Sequence, residues 1–269
     1  MSRPVSIAVH GASGRMGQAV LRLALGSMET SVVAALVRPD APLAGKPLRD
    51  AFGDAAGDLR YSTSLDAKIA PAVLIDFGSP HAFEGALAIA TARRIAFVSG
   101  TTGLNPAQHA AMKKAAATIP VLWSANFSLG IAVLARLSRQ AARALAAWDC
   151  EIAEAHHRNK KDAPSGTALA LGRAIADARG VEFDRVAELD RLTTPRGDAS
   201  SIGFAVSRSG DTVGEHTVVF AAAGERIELV HRASDRDIFA RGALRAAAWI
   251  ADLPAGLHVL GDVLGLGRD

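Results

Sequence analysis

The run Val5-Ser6-Ile7-Ala8-Val9-His10-Gly11-Ala12-Ser13-Gly14-Arg15-Met16-Gly17 decides the fold. Val5 to Val9 is a short apolar strand, the glycines make a turn, and Gln18 to Leu25 has the composition of a helix. Val32 to Val37 reads as a second strand and completes a βαβ unit. Glycines at such a turn let the backbone approach a pyrophosphate, whose charge the positive end of the helix favours. The spacing is G-x-x-G-x-x-G rather than the commoner G-x-G-x-x-G. Its place after an N-terminal strand and before a helix is what points to a dinucleotide, against the plainer reading of a turn needed only for packing. An acidic residue at the end of the second strand would take the ribose hydroxyls, and here the chain has Val37-Arg38-Pro39-Asp40. Arg38 suits a 2′-phosphate and hence NADPH, while Asp40 keeps NADH open.

The pattern continues along the chain. Residues 40 to 64 are rich in Gly, Pro and Asp and read as a loop with little regular structure. Strands are expected at Val73 to Phe77, Ile95 to Ser99 and Val121 to Trp123, alternating with helices at Ala82 to Ala92 and Gln108 to Ala117. In a doubly wound sheet, ligands sit at the carboxyl ends of strands, where Gly78, Gly100-Thr101-Thr102 and Ser124-Ala125-Asn126-Phe127 fall. A long helix is expected over Leu129 to Ala147. Strand patterns follow at Glu151 to His156, Ser201 to Val206, His216 to Phe220 and Arg226 to His231. Few helices accompany them, which suggests an open mixed or antiparallel sheet whose bare face self-association would cover. Ile238 to Leu253 reads as a final helix and 255 to 269 as a tail.

Composition sets bounds. At 269 residues the chain has room for two domains. Thirty Lys+Arg against 27 Asp+Glu leaves a formal charge of only +3, without a basic arm, which argues against nucleic acid. The single cysteine, Cys150, forbids an internal disulfide and fits a reducing compartment. The first residues hold too short an apolar run for a signal peptide, and no stretch approaches the ~20 apolar residues of a membrane span, so a cytoplasmic protein is expected.

The chemistry is concentrated in Glu151 to Leu171, which contains His156-His157-Arg158-Asn159-Lys160-Lys161 and then Asp162-Ala163-Pro164-Ser165-Gly166-Thr167 before an Ala/Leu-rich helix. Pro164 is expected in or near the first turn of that helix, with Ser or Asp before it. Neighbouring side chains on a strand alternate, so one of the two histidines faces a cleft and the other its wall or a ligand. Imidazole exchanges protons near neutrality, Lys160 offers a proton or holds a carboxylate, and the helix start at Ser165 to Thr167 is an anion site. The competing reading is a pair of surface histidines on a solvated charged loop. His216 and His231 lie within strand patterns and read as satisfied core or surface groups. No second cysteine or spaced set of carboxylates accompanies the histidines, so no metal is expected.

Glu-Ala-His-His-x-x-Lys-x-Asp-Ala-Pro-Ser-Gly-Thr-Ala, here Glu154 to Ala168, resembles the signature of the 4-hydroxy-tetrahydrodipicolinate reductase (dihydrodipicolinate reductase) family. Gly11 to Gly17, Gly100 to Gly103, Ala125 to Ser128, Val213 to Thr217, His231 to Ser234 and Phe239 to Ala243 are similar to its other patterns, in order and along nearly the whole chain. The resemblance implies an α/β protein. A Rossmann-like doubly wound parallel sheet would span 1–127 plus 238–269. A second α+β domain for substrate binding and oligomerisation, built on a mixed sheet, would span 128–237. It implies NAD(P)H-dependent reduction of a cyclic dicarboxylate in lysine and diaminopimelate biosynthesis by a cytoplasmic homotetramer. His156 would be proton donor and acceptor, Lys160 the proton donor, and His157, Gly166 and Thr167 substrate-binding. The dinucleotide would lie on Gly11, Ala12, Ser13, Gly14, Arg15, Met16, Arg38, Gly100, Thr101, Thr102, Ser124, Ala125, Asn126 and Phe127. Many members carry an acidic residue before the Arg38 position, where Val37 stands here, so cofactor preference stays open; Ala132 and Lys161 also depart from the pattern.

The expected mechanism is hydride transfer to an unsaturated ring carbon, with Lys160 or His156 protonating the neighbouring position, an acid contribution of about 100- to 10,000-fold. One rival is a semialdehyde dehydrogenase, which needs a thiolate for which Cys150 is the lone candidate. Another is a dinucleotide-sensing regulator without turnover, which would not need His156 and Lys160.

Overall fold

The computed structural model describes residues 3–190 and 200–266. The chain forms two compact units, Met1–Leu129 with Asp237–Asp269, and Gly130–Arg236.

The first unit alternates strands and helices: β1 (Val5–His10), α1 (Arg15–Leu25), β2 (Thr30–Leu36), α2 (Arg49–Phe52), β3 (Tyr61–Ser62), β4 (Val73–Asp76), α3 (Pro80–Arg93), β5 (Ala96–Ser99), α4 (Pro106–Ala115) and β6 (Pro120–Trp123). The chain's last strand, β12 (Gly256–His258), completes a seven-stranded sheet of order β12-β6-β5-β4-β1-β2-β3, with every pairing parallel. This is the doubly wound architecture expected. Order reverses between β1 and β4, the switch point beside which such sheets bind ligands. The strands are short apolar runs because both faces are covered. Ala8, Leu74, Phe83, Phe97 and Val121 share one core, in which Phe83 meets the edge of Phe97 at 5.8 Å between centroids. Each of the Leu, Phe and Val side chains contributes about 1.5–3 kcal/mol by burial.

The second unit holds α5 (Leu129–Ala144), β7 (Asp149–His156), α6 (Gly166–Arg179), α7 (Phe183–Val186), β8 (Ala187–Glu188), β9 (Ile202–Arg208), β10 (Gly214–Ala222) and β11 (Glu225–Ala233). Its five strands lie in the order β11-β10-β7-β9-β8. β10 runs antiparallel to both neighbours, and β9 parallel to both of its own, so the sheet is mixed. Cys150, Ile152, Phe204, Val218 and Phe220 face the core with Leu171 and Ile175 of α6. α8 (Asp237–Ile250) and β12 (Gly256–His258) return to the first unit.

Several sequence expectations need correction. The 40–64 stretch contains α2, a 3-10 turn at Gly53–Ala56, and β3, which pairs with β2. The tail contributes β12, paired parallel to β6, and a 3-10 turn at Asp262–Leu264. Both strands are too short to show a periodicity and exist through their neighbours. Helix α1 starts at Arg15, not Gln18, because Gly14 serves as N-cap. Pro164 precedes the cap residue of α6 instead of lying in its first turn. β9 runs on to Arg208 and β10 begins at Gly214, past the strand patterns that end at Val206 and begin at His216, and residues 191–199 lie outside the described residues.

Candidate active site

In the first unit the switch point opens into a pocket of about 240 Å³ lined by His10, Gly11, Ser13, Gly14, Arg38, Phe77, Gly78, Ser79 and Ala82. Gly11 has φ +73°, and a Cβ there would lie 2.5 Å from the Phe77 carbonyl oxygen. A Cβ on Gly17 would lie 2.3 Å from the Gly11 oxygen. Glycine is therefore required for the turn itself and for seating α1 against it. Gly14 caps α1 and Ser79 caps α3, neither through a side-chain hydrogen bond. Two helix starts thus line one pocket, and helix starts favour anions. Arg38 is 3.7 Å from Asp40, both side chains are more than 70% exposed, at 71% and 74%, and a pair so exposed holds the guanidinium only weakly. A side-chain-free cradle, two helix starts and an accessible guanidinium fit a dinucleotide phosphate.

The turns around this pocket are fastened by Asp76, which is fully buried at the end of β4. Its Oδ1 takes hydrogen bonds from the Gly78 N–H at 2.9 Å and from His10 Nδ1 at 2.7 Å. Its Oδ2 accepts from the hydroxyls of Ser99 at 2.7 Å and Thr101 at 2.8 Å. Burial pushes this carboxyl upward, but His10, Ser99 and Thr101 together outweigh it and hold its pKa below the ordinary value. Gly100 is bonded to the Asp76 carbonyl, and a Cβ on it would fall 2.1 Å from the Phe77 ring. Thr102 is exposed beside buried Thr101, whose carbonyl accepts from Trp123 Nε1 at 2.9 Å. The Ser124 hydroxyl donates to the Asn126 carbonyl at 2.7 Å, Ala125 is exposed, and Phe127 meets Phe77 edge-on at 5.6 Å. Ala12 is buried with its N–H on the Leu36 carbonyl, and Arg15 and Met16 open α1. The candidate dinucleotide residues thus converge on the carboxyl ends of β1, β2, β4, β5 and β6.

In the second unit β7 ends in the two histidines, which turn opposite ways. His156 is buried and its Nδ1 bonds Glu154 Oε2. His157 is half-buried, and its Nε2 accepts from Arg236 at 2.9 Å. Glu154 lies on the inward parity of β7, fully buried, and also accepts from the Ser165 N–H at 3.0 Å and from both terminal nitrogens of Arg208 at 2.9 and 2.8 Å. Arg208 Nη2 donates further to the Asp162 carbonyl at 2.7 Å. Ser165 caps α6, its Oγ accepting from the Ala168 N–H at 3.1 Å. That leaves its hydroxyl hydrogen for His216 Nε2, 3.2 Å away. His216 is buried and packs edge-on against His156 at 5.2 Å. The Gly166 and Thr167 N–H groups stand in the first turn of α6, ahead of the helix's own ladder. Lys160 pairs with Asp162 at 2.9 Å on the loop between.

Electrostatics separates the titratable groups. Burial pulls His156 below its ordinary pKa, Lys160 and Arg208 add to this, and Glu154 opposes it. Burial likewise takes His216 down to about 4, with the nearby His156 adding to the effect. Burial would raise Glu154, yet the bonds from Arg208, His156 and Ser165 hold it low. Glu154 is therefore a carboxylate at neutral pH, and His156 is a neutral imidazole donating to it.

The sequence expected His156, His157, Lys160, Gly166 and Thr167 in one short stretch, and the fold adds Glu154, Arg208, His216 and Arg236 to it. Glu154 carried a signal, as an acid among the inward positions of an apolar strand; Asp76 ends β4 in the same way. Arg208 and Arg236 carried none, because only the sheet pairing and the chain's return bring them close. His216, read from its strand pattern as a satisfied core or surface group, is a core group only half satisfied: its Nε2 meets the cap of α6, while its buried Nδ1 has no hydrogen-bond partner among the described residues. Cys150 is buried and its thiol is pushed up to about 12 by desolvation, which removes it as a nucleophile.

Family models described as "Dihydrodipicolinate reductase, N-terminus" and "Dihydrodipicolinate reductase, C-terminus" match residues 5–127 and 130–264. The chain is 47% identical over 261 residues to the 4-hydroxy-tetrahydrodipicolinate reductase of Stenotrophomonas maltophilia (strain K279a), covering 97% of this chain and 98% of that protein. It is 47% identical over 265 residues to that of Zymomonas mobilis subsp. mobilis, again covering 97% and 98%. Among solved structures, a dipicolinate-bound dihydrodipicolinate reductase from Paenisporosarcina sp. TG-14 superposes with a TM-score of 0.75 at 22% identity, covering 95% of this chain and 97% of that one.

Proposed function

Because the chain belongs to the dihydrodipicolinate reductase family, we propose that it catalyses the NAD(P)H-dependent reduction of 4-hydroxy-tetrahydrodipicolinate in lysine and diaminopimelate biosynthesis. The observation that carries the reading is the grouping of Lys160, His156 and the start of α6 around Glu154 in a chain whose other unit holds a phosphate-fitting glycine cradle. The dinucleotide is held by Gly11 to Met16, Arg38, Gly100 to Thr102 and Ser124 to Phe127, and when bound its reduced nicotinamide supplies the hydride. One carboxylate of the substrate is received by the Gly166 and Thr167 N–H groups at the positive end of α6. His157, turned outward and held by Arg236, binds the same molecule. The Lys160 ammonium gives the proton, and His156, neutral at pH 7 because burial disfavours its charge, accepts or relays one at Nε2.

Val37 and an exposed Arg38 favour use of NADPH, with NADH retained through Asp40. One face of the mixed sheet packs on α5 and α6, while its other face carries Ala153, Ala205, Thr217 and Val230. Covering that face with further copies gives a homotetramer. No helix among the described residues is long and apolar enough to cross a membrane, which suits a cytoplasmic enzyme.

The test is loss of nicotinamide absorbance with enzymatically generated 4-hydroxy-tetrahydrodipicolinate, with NADH and NADPH in parallel. Turnover is expected in the wild type, falling about 100- to 10,000-fold in Lys160→Ala. Tight dinucleotide binding without turnover, and a silent His156→Ala, would move the assignment to a dinucleotide-sensing regulator.

A further inference from the structure

We propose that Glu154 and Arg208 are positioning residues for this reaction. The buried carboxylate fixes the proton of His156 on Nδ1 and, with the same two oxygens, anchors the start of α6 that receives the substrate carboxylate. The inference rests on His156 and α6 having the roles given above.

Oε1 accepts from the Ser165 N–H and Arg208 Nη2, and Oε2 from His156 Nδ1 and Arg208 Nη1. A carboxylate has about four lone-pair sites, so its acceptor capacity is filled. None of its side chain is exposed, and a charge so placed is costly unless paired, which Arg208 provides bidentately. An ionised carboxylate only accepts, so the hydrogen in its bond to His156 resides on Nδ1. The neutral ring then carries its lone pair on Nε2, the nitrogen turned toward Gly214, where an added Cβ would lie 3.0 Å away. The less common tautomer is thus imposed by one neighbour.

The second oxygen does different work. It holds the Ser165 N–H, while the Ser165 hydroxyl is held between the Ala168 N–H and His216 Nε2. The cap of α6 is thereby fixed from both sides. Arg208 extends the clamp to the Asp162 carbonyl, next to the Lys160–Asp162 pair. One ion pair therefore sets the mutual placement of the imidazole, the lysine loop and the helix start. Preorganisation of this kind is felt in kcat, because misplacement of about 1 Å costs on the order of 100-fold.

The test is Glu154→Gln, which keeps the size and an acceptor but removes the charge. The groups bearing on His156 are Glu154 on its own strand, Arg208 on β9, His216 on β10 and Lys160 on the loop, itself paired with the Asp162 carboxylate, so removing the Glu154 carboxylate takes away the anion bonded to the ring. Histidine nitrogen NMR of the wild type should show His156 with hydrogen on Nδ1, and Glu154→Gln should show a tautomer mixture. The limb of the kcat profile belonging to His156 should move by about one pH unit to lower pH, with kcat down at least about tenfold. Binding of dipicolinate should weaken, while NADPH binding should not change. Arg208→Lys keeps a cation without the fork and leaves the carboxylate on Nδ1, so it should keep the tautomer while lowering kcat and dipicolinate binding less than Glu154→Gln does; it carries the test of the α6 anchor if Glu154→Gln does not fold. An unchanged tautomer and pH limb in Glu154→Gln, or unchanged kcat and dipicolinate binding in Arg208→Lys, would overturn the positioning role, even if His156→Ala abolishes turnover. Wild-type turnover in His156→Ala would instead overturn the functional reading, and the inference with it.

Discussion

Asp76 and Glu154 solve one problem in two ways. Each is a fully buried carboxylate, each bonds a histidine through Nδ1, and each accepts a backbone N–H just before a helix. Asp76 completes its set with the neutral hydroxyls of Ser99 and Thr101, whereas Glu154 has the guanidinium of Arg208. The neutral set ties together the turns that form a phosphate cradle and leaves the helix starts and the Arg38 guanidinium as the positive features there. The charged set offsets a carboxylate beside an imidazole that must handle protons. The difference shows that a buried acid in a binding unit can be a fastener, while beside a reacting group its charge also tunes basicity.

The largest break in this comparison should come from Glu154→Ala, which leaves the Arg208 guanidinium, only 18% exposed, without its partner. Loss of one member of a buried pair costs about 3–5 kcal/mol, readable by chemical denaturation. The pH dependence of stability comes next. His216 is held at about 4 against an ordinary 6.5, so on acidification the unfolded chain takes up a proton before the folded one does. Stability should then fall as pH drops from 6.5 toward 4, by up to about 3 kcal/mol, and His156 and His231, also lowered, act in the same direction. His216→Gln should flatten that slope. The contributions of Glu154 and Asp76 are fully present above their ordinary values of 4.5 and 3.8, and go only at lower pH.

Asp76→Asn should cost about 1–3 kcal/mol, since its amide nitrogen cannot accept from a hydroxyl or N–H donor. Gly214→Ala sharpens the comparison, because its Cβ would press on His156 Nε2 at 3.0 Å and Cδ2 at 3.3 Å. Overpacking of this sort costs about 1–3 kcal/mol, and kcat should suffer more than the melting temperature. The smallest effect is expected from Arg38→Ala, with NADPH weakened about tenfold, or about 1.4 kcal/mol, and NADH unaffected.

The parallel sheet was legible because apolar runs and glycine turns are local signals, and so was the α6 motif, whose side chains lie within a dozen residues. β3 and β12 were not, since two- and three-residue strands carry no period and depend on β2 and β6 for existence. The support of His156 was hidden for a related reason. Arg208 lies 54 residues from Glu154 in sequence, and only the parallel pairing of β7 with β9 puts it beside that residue. His216 reads as an ordinary strand residue until the antiparallel register places it opposite Glu154.

The most direct measurement sets Asp76→Asn against Glu154→Gln in one assay of kcat, dinucleotide dissociation constant and pH profile. The account predicts that Asp76→Asn weakens NADPH binding and leaves the pH limb of kcat in place. Glu154→Gln should lower kcat and shift that limb while NADPH binding stays at the wild-type value. If both variants weaken the dinucleotide alike, or both leave the pH limb fixed, the two carboxylates do not divide the work in this way.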